Sequence, residues 1–289
     1  MRGVAYELVR HASPGAFLER AEPWLLERED EHNLHLSLAY ARADRASEDT
    51  ESLFGTVEGD GKVLGCVIRT PPHKLLVTSL PSEAASSIVE PVADLYDEIP
   101  AVLGPADSAQ AVASAWVALQ GGACRTGMLQ RIYRLDEVVP ARSVTGAMRD
   151  ATQDDLDLLT EWGSGFARDA GQAFLLGAKQ VSRMIERRDL RVWQDQTPTS
   201  MAVAQGATPN GCRVGYVYTP PELRGRGYAS ALVAEVSQHM LDSGFGFCVL
   251  YTDLANPTSN AIYEKIGYTP IRDVRHIDII PVGGDGGSD

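Results

Sequence analysis

The sequence predicts an α/β protein made of two successive units, each a mixed, mostly antiparallel sheet flanked by helices. Three observations predict it. Apolar residues alternate in short β-branched runs and recur three or four apart in longer ones, so both periodicities are present. Both halves show one order of elements: helices, antiparallel strands joined by tight turns, then helix, strand, helix, strand. The chain has 289 residues, 44% hydrophobic and 22% charged, enough for two cores of ordinary size.

The first 50 residues read as helical, with apolar residues at helical spacing over Pro14 to Arg28 and Asn33 to Arg45. "SLFGTVEGDGKVLGCVIRT" holds two β-rich runs around Gly59-Asp60-Gly61, a hairpin signal. "KLLVTSLP" is a third strand, and Ser82 caps a helix over "SEAASSIVEPVADLYDEI". A short strand "AVLG", a helix "ADSAQAVASAWVALQGG" closed by glycine, and the strand "TGMLQRIYRLDEV" complete the first unit. Val138 to Ser143 reads as a connection.

The second unit starts with the strand "VTGAMRDA" and a helix capped by Thr152, with Asp155 three residues on as in a capping box. A second helix is expected from Phe174 to Arg188. "LRVWQD", "TSMAVAQGAT" and "CRVGYVYT" follow as strands, with hairpin breaks at Gln196-Thr197-Pro198 and Pro209-Asn210-Gly211. A helix from about Tyr228 to Gly244, the strand "FGFCVLYTD", a helix from Pro257 to Ile266 and a closing pair of strands end the unit. The expected domains are residues 1–140 and 141–282, with a flexible tail over 283–289. "LLVTSLPSEAASSIV" in the first half occupies the place of "GYVYTPPELRGRGYASALV" in the second, as a divergent duplication would leave it.

Charge and cysteines narrow the function. There are 26 Lys and Arg against 39 Asp and Glu, a net charge of −13, which argues against nucleic acid as a partner because that needs a basic footprint. No apolar run approaches the roughly 20 residues of a membrane span, and the start lacks a signal peptide's apolar stretch, so a cytoplasmic protein is expected. Cys66, Cys124, Cys212 and Cys248 have no C-x-x-C pairing and no histidine pattern nearby, so they read as free thiols, with no metal site.

The chemistry is concentrated in "VYTPPELRGRGYASALVAEV", residues 217–236. Two glycines at the head of a helix each cost roughly 1 kcal/mol against alanine, so the backbone there must be bare for a reason. Helix N-termini present unpaired N–H groups and partial positive charge, and are ready anion sites. Gly225 and Gly227 clear the approach, while Arg224 and Arg226 add charge. Tyr228 and Ala229 open the helix, and Ala229, Leu232, Val233, Val236 and Met240 form its apolar face. A diphosphate suits this turn. It is not a dinucleotide fingerprint, since the third glycine is Ser230, and it lacks the Lys-Ser/Thr ending of a nucleotide P-loop.

The turn resembles the Arg/Gln-x-x-Gly-x-Gly/Ala signature of the GNAT superfamily of N-acetyltransferases. "YTDLANPTSNAIYEKIGY" resembles that family's next strand and helix, and Asn256, Asn260 and Tyr263 share one helical face. The resemblance covers roughly residues 144–280, with the first half a degenerate copy lacking the cofactor motif. It implies direct transfer of an acetyl group from acetyl-CoA to a primary amine of a small molecule or peptide. The pyrophosphate would lie on residues 224–229, and the pantetheine arm along the backbone of Val217, Tyr218 and Thr219. Asn256, Asn260 and Tyr263 would line the cofactor, and Tyr263 matches the family's general acid. On a plainer reading Asn256 is a helix cap and Tyr263 a packing residue.

A lysine-like amine, with a pKa of about 10.4, is neutral in only about one molecule in 2,500 at pH 7, so a base is useful. Family members often carry a glutamate on the central strands. Cys212 to Thr219 offers none, which leaves the base unassigned; Asp253, at the end of the next strand, is a candidate, with a turn or cap role as its alternative. Glu222 faces the wrong way within the turn, and His239, in mid-helix, reads as a surface residue. Two other functions stay open: transfer of a longer acyl group, as in the similar glycine N-acyltransferase branch, and a non-catalytic acyl-CoA-binding regulatory module. The acceptor and the oligomeric state are not readable from the sequence.

Overall fold

The computed structural model of the protein describes residues 5–44, 51–170 and 176–283. Its contacts divide the chain into two compact units, Met1–Arg131 with Arg272–Asp289, and Ile132–Ile271.

The first unit runs β1 (Tyr6–Arg10), α1 (Pro14–Leu26), α2 (Glu29–Ala43), β2 (Leu53–Gly59), β3 (Lys62–Arg69), β4 (Leu75–Val77), α3 (Ala85–Ala93), β5 (Ala101–Pro105) and α4 (Ala106–Gln120). Ser13 caps α1, its Oγ accepting the Ala16 N–H at 3.1 Å, and Pro14 fills the first helical position. Asp60 and Gly61 take φ of 51° and 73°, the left-handed pair that a two-residue hairpin demands, and so close β2 onto β3. The sheet order is β1-β2-β3-β4-β5, antiparallel except for the parallel β4–β5 pair. One apolar core lies under α3 and α4, around Ile88, Val112 and Trp116, and another under α1 and α2, around Phe17, Leu25 and Leu36.

A long strand, β6 (Ala123–Leu135), runs through the division between the units. The second unit continues β7 (Ala147–Asp150), α5 (Leu156–Asp169), α6 (Ala178–Glu186), β8 (Leu190–Asp195), β9 (Thr197–Gln205), β10 (Gly211–Tyr218), α7 (Tyr228–Asp242), β11 (Phe247–Asp253) and α8 (Pro257–Lys265). Strand β12 (Thr269–Ile280) starts there and ends in the first unit, where Val274–Asp278 pairs antiparallel with β5. The strands of the second unit repeat the pairing order of the first: β7-β8-β9-β10 antiparallel, then β11 parallel to β10. Its two cores lie under α7, around Leu232, Val233 and Tyr268, and under α5 and α6, around Leu159, Val181 and Val192.

The expected α/β class and the repeated element order are present. Four local expectations need correction. Ser82 caps no helix: it opens a short turn over Ser82–Ala84, and α3 begins after it at Ala85. The first 50 residues are not all helical: Tyr6–Arg10 is a strand, made so by its antiparallel pairing with β2. The closing pair of strands is one strand of 12 residues. The turn at Gln196-Thr197-Pro198 narrows to Gln196 alone, at φ 59°, with Asp195 opposite Thr197. Arg45, Phe174 and residues 284–289 of the expected tail lie outside the described residues. No helix among the described residues is long and apolar enough to cross a membrane.

Candidate functional site

Strands β10 and β11 are parallel neighbours for only a short distance. Their registered pairs are Gly211↔Phe247, Cys212↔Cys248 and Arg213↔Val249, although both strands continue for several residues. Beyond Arg213 they part. The cause lies in β10, where the register against β9 shifts between Gly215 and Tyr218 and Tyr216 takes φ 50°. A β-bulge bends its strand and ends local pairing. It also reverses the side-chain alternation, so that Val214 and Val217 pack toward α7 while Tyr216 and Tyr218 pack toward α5. Val217, Tyr218 and Thr219 follow the last registered β10–β11 pair. Tyr218 O accepts from Ser200 Oγ at 3.0 Å, and Thr219 Oγ1 donates to the same Ser200 Oγ at 2.9 Å, so β9 buttresses the edge.

The chain then turns tightly over Pro221–Leu223 and enters the glycine turn. Gly225 and Gly227 have φ of 76° and 90°, a conformation that side chains with a Cβ rarely adopt. A Cβ on Gly225 would meet nothing within 4 Å, so packing does not explain that glycine. The backbone N–H groups of Gly225, Arg226 and Gly227 donate no hydrogen bond among the described residues. They head α7, which adds its own unpaired first-turn donors at Tyr228 and Ala229. Donors at a helix N-terminus of this kind suit an anion.

The arginines contribute less free charge than the sequence implies. Arg224 forms an ion pair with Asp169 of α5 and donates Nε–H to Thr219 O at 2.9 Å. Arg226 donates to Glu222 O at 3.2 Å and lies within electrostatic reach of Asp195. Tyr228 is buried, and its hydroxyl donates to Asp195 Oδ2 at 2.7 Å, which braces the start of α7. Thr145 and Tyr228 hydrogen bonds hold the Asp195 carboxyl below its usual pKa. These partners are far apart in sequence, and no local pattern announces them.

Asn256 caps α8, its Oδ1 accepting the Ser259 N–H at 3.1 Å. Asn260 donates its amide to the carbonyls of Asp253 and Leu254, each at 3.3 Å, while its buried Oδ1 has no hydrogen-bond partner among the described residues. Tyr263 is buried at an edge-to-face distance of 6.0 Å from Tyr268, and burial pushes its hydroxyl up to about 12. The Asp253 carboxylate accepts the Ala255 N–H at 2.9 Å, a turn-closing bond at the end of β11. All four cysteines are free thiols, with Cys212 and Cys248 facing each other at 3.6 Å beneath α7.

One feature escaped the reading of the sequence: half-buried Arg213, where the strands part, with Tyr216 and Tyr251 in electrostatic reach. Burial lowers the pKa of its guanidinium. The available signal was Gly215, an isolated glycine inside a strand pattern and so a bulge marker.

Residues 195–277 match the FR47-like protein family. No curated protein sequence matches the chain. Among solved structures, the fold is similar to that of a Drosophila protein, with a TM-score of 0.67, 12% identity and coverage of 96% of this chain and 99% of the other. It is similar to a GNAT-family acetyltransferase from Colwellia psychrerythraea, with a TM-score of 0.58, 13% identity and coverage of 94% and 99%. It is also similar to a tandem GNAT protein from the clavulanic acid biosynthesis pathway, with a TM-score of 0.55, 12% identity and coverage of 99% and 100%. The chain has the fold of the GNAT acetyltransferases, and its segment 195–277, which holds the glycine turn and α8, is FR47-like.

Proposed function

We propose that the protein is an acetyl-CoA-dependent N-acetyltransferase acting on a primary amine. The observation that carries this reading is the joint between β10 and α7: a strand that leaves its registered β11 pairing after Arg213 and leads directly into left-handed glycines whose N–H groups have no acceptor among the described residues. A strand edge suits an extended amide-bearing arm, and the glycine turn suits the diphosphate to which that arm is joined. Asn260 Oδ1, buried without a donor, is a further polar atom that such a ligand would satisfy. The residues present therefore fit the cofactor.

Acetyl-CoA supplies an activated acyl group as a thioester. Gly225, Arg226, Gly227, Tyr228 and Ala229 bind the diphosphate through backbone N–H groups, and Val217 to Thr219 orient the arm. Arg224 holds the entrance to the turn through its Thr219 bond. Asn256 fixes the start of α8 and thereby sets Asn260 and Tyr263 on one face. Tyr263, whose hydroxyl is protonated at neutral pH, would give that proton to the thiolate sulfur as it departs. Asp253 is the nearest carboxylate to the end of β11 and is the proposed route for the amine's proton.

Gly227→Asp is expected to abolish acetyl-CoA binding, because a carboxylate would meet the diphosphate at the helix end. Gly225→Asp should do the same at a position where a side chain meets no neighbour. Gly225→Asn, similar in shape and tolerant of the left-handed region, should lose less. Calorimetry showing undiminished affinity in both aspartate variants would remove the phosphate-turn assignment. Acetyl against longer acyl donors in the same assay separates the two transferase readings.

A further inference from the structure

We propose that Lys74, in the first unit, is a nucleophilic lysine activated by His276 and acylated directly by thioesters. The proposal is independent of the glycine turn, since every group it uses belongs to the first unit.

The sheet brings the groups together. Strands β4, β5, β12 and β6 lie side by side in that order. Leu75 and Val77 of β4 pack into the core under α3 and α4, so Lys74, immediately before them, belongs to the opposite face. Ile277 and Ile279 of β12 enter the same core, which turns His276 and Asp278 to the face of Lys74. Between the two strands stands β5. Its Val102 is opposite Leu75, so Ala101 is level with Lys74 and is itself registered with Asp278. A methyl group is a low obstacle, and the long lysine side chain crosses it. Lys74 Nζ thereby meets His276 Nδ1 in a hydrogen bond between residues 202 positions apart.

The roles of the two ring nitrogens follow. His276 Nε2 lies 2.8 Å from Gln130 Oε1 on β6. An amide oxygen only accepts, so Nε2 carries the proton and Nδ1 presents its lone pair to Lys74. Nucleophile, base and orienting group stand in the order that activates a weak nucleophile.

The charges nearby do not offer the lysine an ordinary ion pair. Asp278 is within electrostatic reach, but its carboxylate is paired with Arg125 of β6 at 3.4 Å. His73, next in sequence, adds positive charge when protonated, and Arg42 of α2 lies in reach of His73. Burial lowers the pKa of the Lys74 amine, with Asp278 opposing, so the neutral form that can attack is more abundant. Lys74 is half-buried and follows the exposed Pro72 and His73, at the rim of the unit.

The step is an acyl transfer. The neutral amine attacks the thioester carbonyl carbon, the N–C bond forms, and a proton passes from Nζ to Nδ1. The C–S bond breaks, and the thiolate leaves with the bonding pair and takes the proton back from the imidazolium. The products are an Nε-acylated lysine and a free thiol.

The chain has four lysines, and Lys62, Lys179 and Lys265 are exposed, so they serve as internal references. The full chain is incubated at pH 7 with S-acetyl-N-acetylcysteamine, a thioester without a diphosphate, and acetylation of each lysine is followed by peptide mass spectrometry. Lys74 should react at least about tenfold faster than any of the three, the gain that one unit of lowered amine pKa brings. His276→Asn, whose amide oxygen can take the hydrogen bond but not the proton, should erase that lead, with a thermal melt showing that it folds. Gln130→Glu keeps an acceptor at Nε2 and favours the imidazolium, so the acid limb of the Lys74 labelling profile should move to higher pH. Acetylation of wild-type Lys74 no faster than that of the exposed lysines would overturn the proposal, whatever the variants do. A lead that survives in His276→Asn would overturn the role of His276 as base, and a profile unmoved in Gln130→Glu would overturn that of Gln130. Labelling of Lys74 by acetyl-CoA but not by the short thioester would overturn the direct route.

Discussion

Tyr263 shows what burial does to a catalytic candidate. Its side chain is buried, and loss of water raises its pKa to about 12 because the phenolate, not the phenol, is penalised. A departing thiolate in the same surroundings is penalised in the same direction, so the two remain within reach of a proton transfer. The phenol therefore stays protonated through the neutral range and is ready to donate. Its effect arises only as negative charge builds on sulfur, so Tyr263→Phe should lower kcat and leave acetyl-CoA affinity nearly intact. General acids contribute about 10²–10⁴-fold, and a thiolate is already a fair leaving group, so a loss near 10²-fold is expected. Phe keeps the packing against Tyr268, so melting temperature should change little. Titration of this hydroxyl also has a stability consequence. A pKa raised from 10.0 toward 12 means that the folded state is favoured by the protonated form, fully so below pH 10, with that contribution lost as pH rises toward 12. Wild-type turnover by Tyr263→Phe, with chemistry rate-limiting, would leave Tyr263 a packing residue.

Elements were legible where their signals are local. The helix beginning near Thr152 was read from its cap. The Asp155 carboxylate accepts the Thr152 N–H at 2.8 Å and also takes both arms of Arg149, each at 2.7 Å. The Arg149 partner was not readable, because it arrives from β7 through the fold. Likewise the glycine turn and α8 announce themselves by residue type at short spacing, whereas β1 is a strand only because Tyr6–Arg10 finds β2 about fifty residues later. Arg224 and Arg226 were read as phosphate charges for the same reason: Asp169 and Asp195 are invisible at short range. The cap is open to measurement. Arg149 holds the Asp155 carboxyl below its usual value of 3.8, so its contribution is present above pH 4 and is lost as pH falls through the depressed value. Asp155→Asn should lower stability at pH 7 by about 2 kcal/mol, the combined scale of a cap and a charged hydrogen bond. Thermal melts should show a loss of roughly 4–8 °C at pH 7 that shrinks below pH 4. A loss that stays constant into acid would assign the effect to packing alone.

At the scale of the whole chain, one architecture is written twice and opened once. In both units three antiparallel pairings lead to a parallel one, with a helix crossing between the two parallel strands. The copies differ at that joint. In the second unit the parallel pairing ends at Arg213↔Val249 and the strands separate, and left-handed glycines precede α7. In the first unit β4 and β5 are paired at Leu75↔Val102 and Leu76↔Leu103, and the next residues stay together: a Cβ on Gly104 would lie 2.4 Å from the Val77 carbonyl oxygen. Gly104 is thus a glycine because the strands are too close for a side chain, the reverse of an opening. The following turn, Ser82–Ala84, has no glycine and no arginine, and Glu83 in its place would repel a phosphate. No seat for the arm or the diphosphate of acetyl-CoA is expected there. Calorimetry on the full chain should therefore return a stoichiometry of one acetyl-CoA per chain. Gly227→Asp should take that value to zero; a value that stays at one would mean that the cofactor has a seat elsewhere in the chain. Two acetyl-CoA molecules per wild-type chain would show that the closed joint of the first unit opens to bind, and the division of labour between the copies would have to be withdrawn.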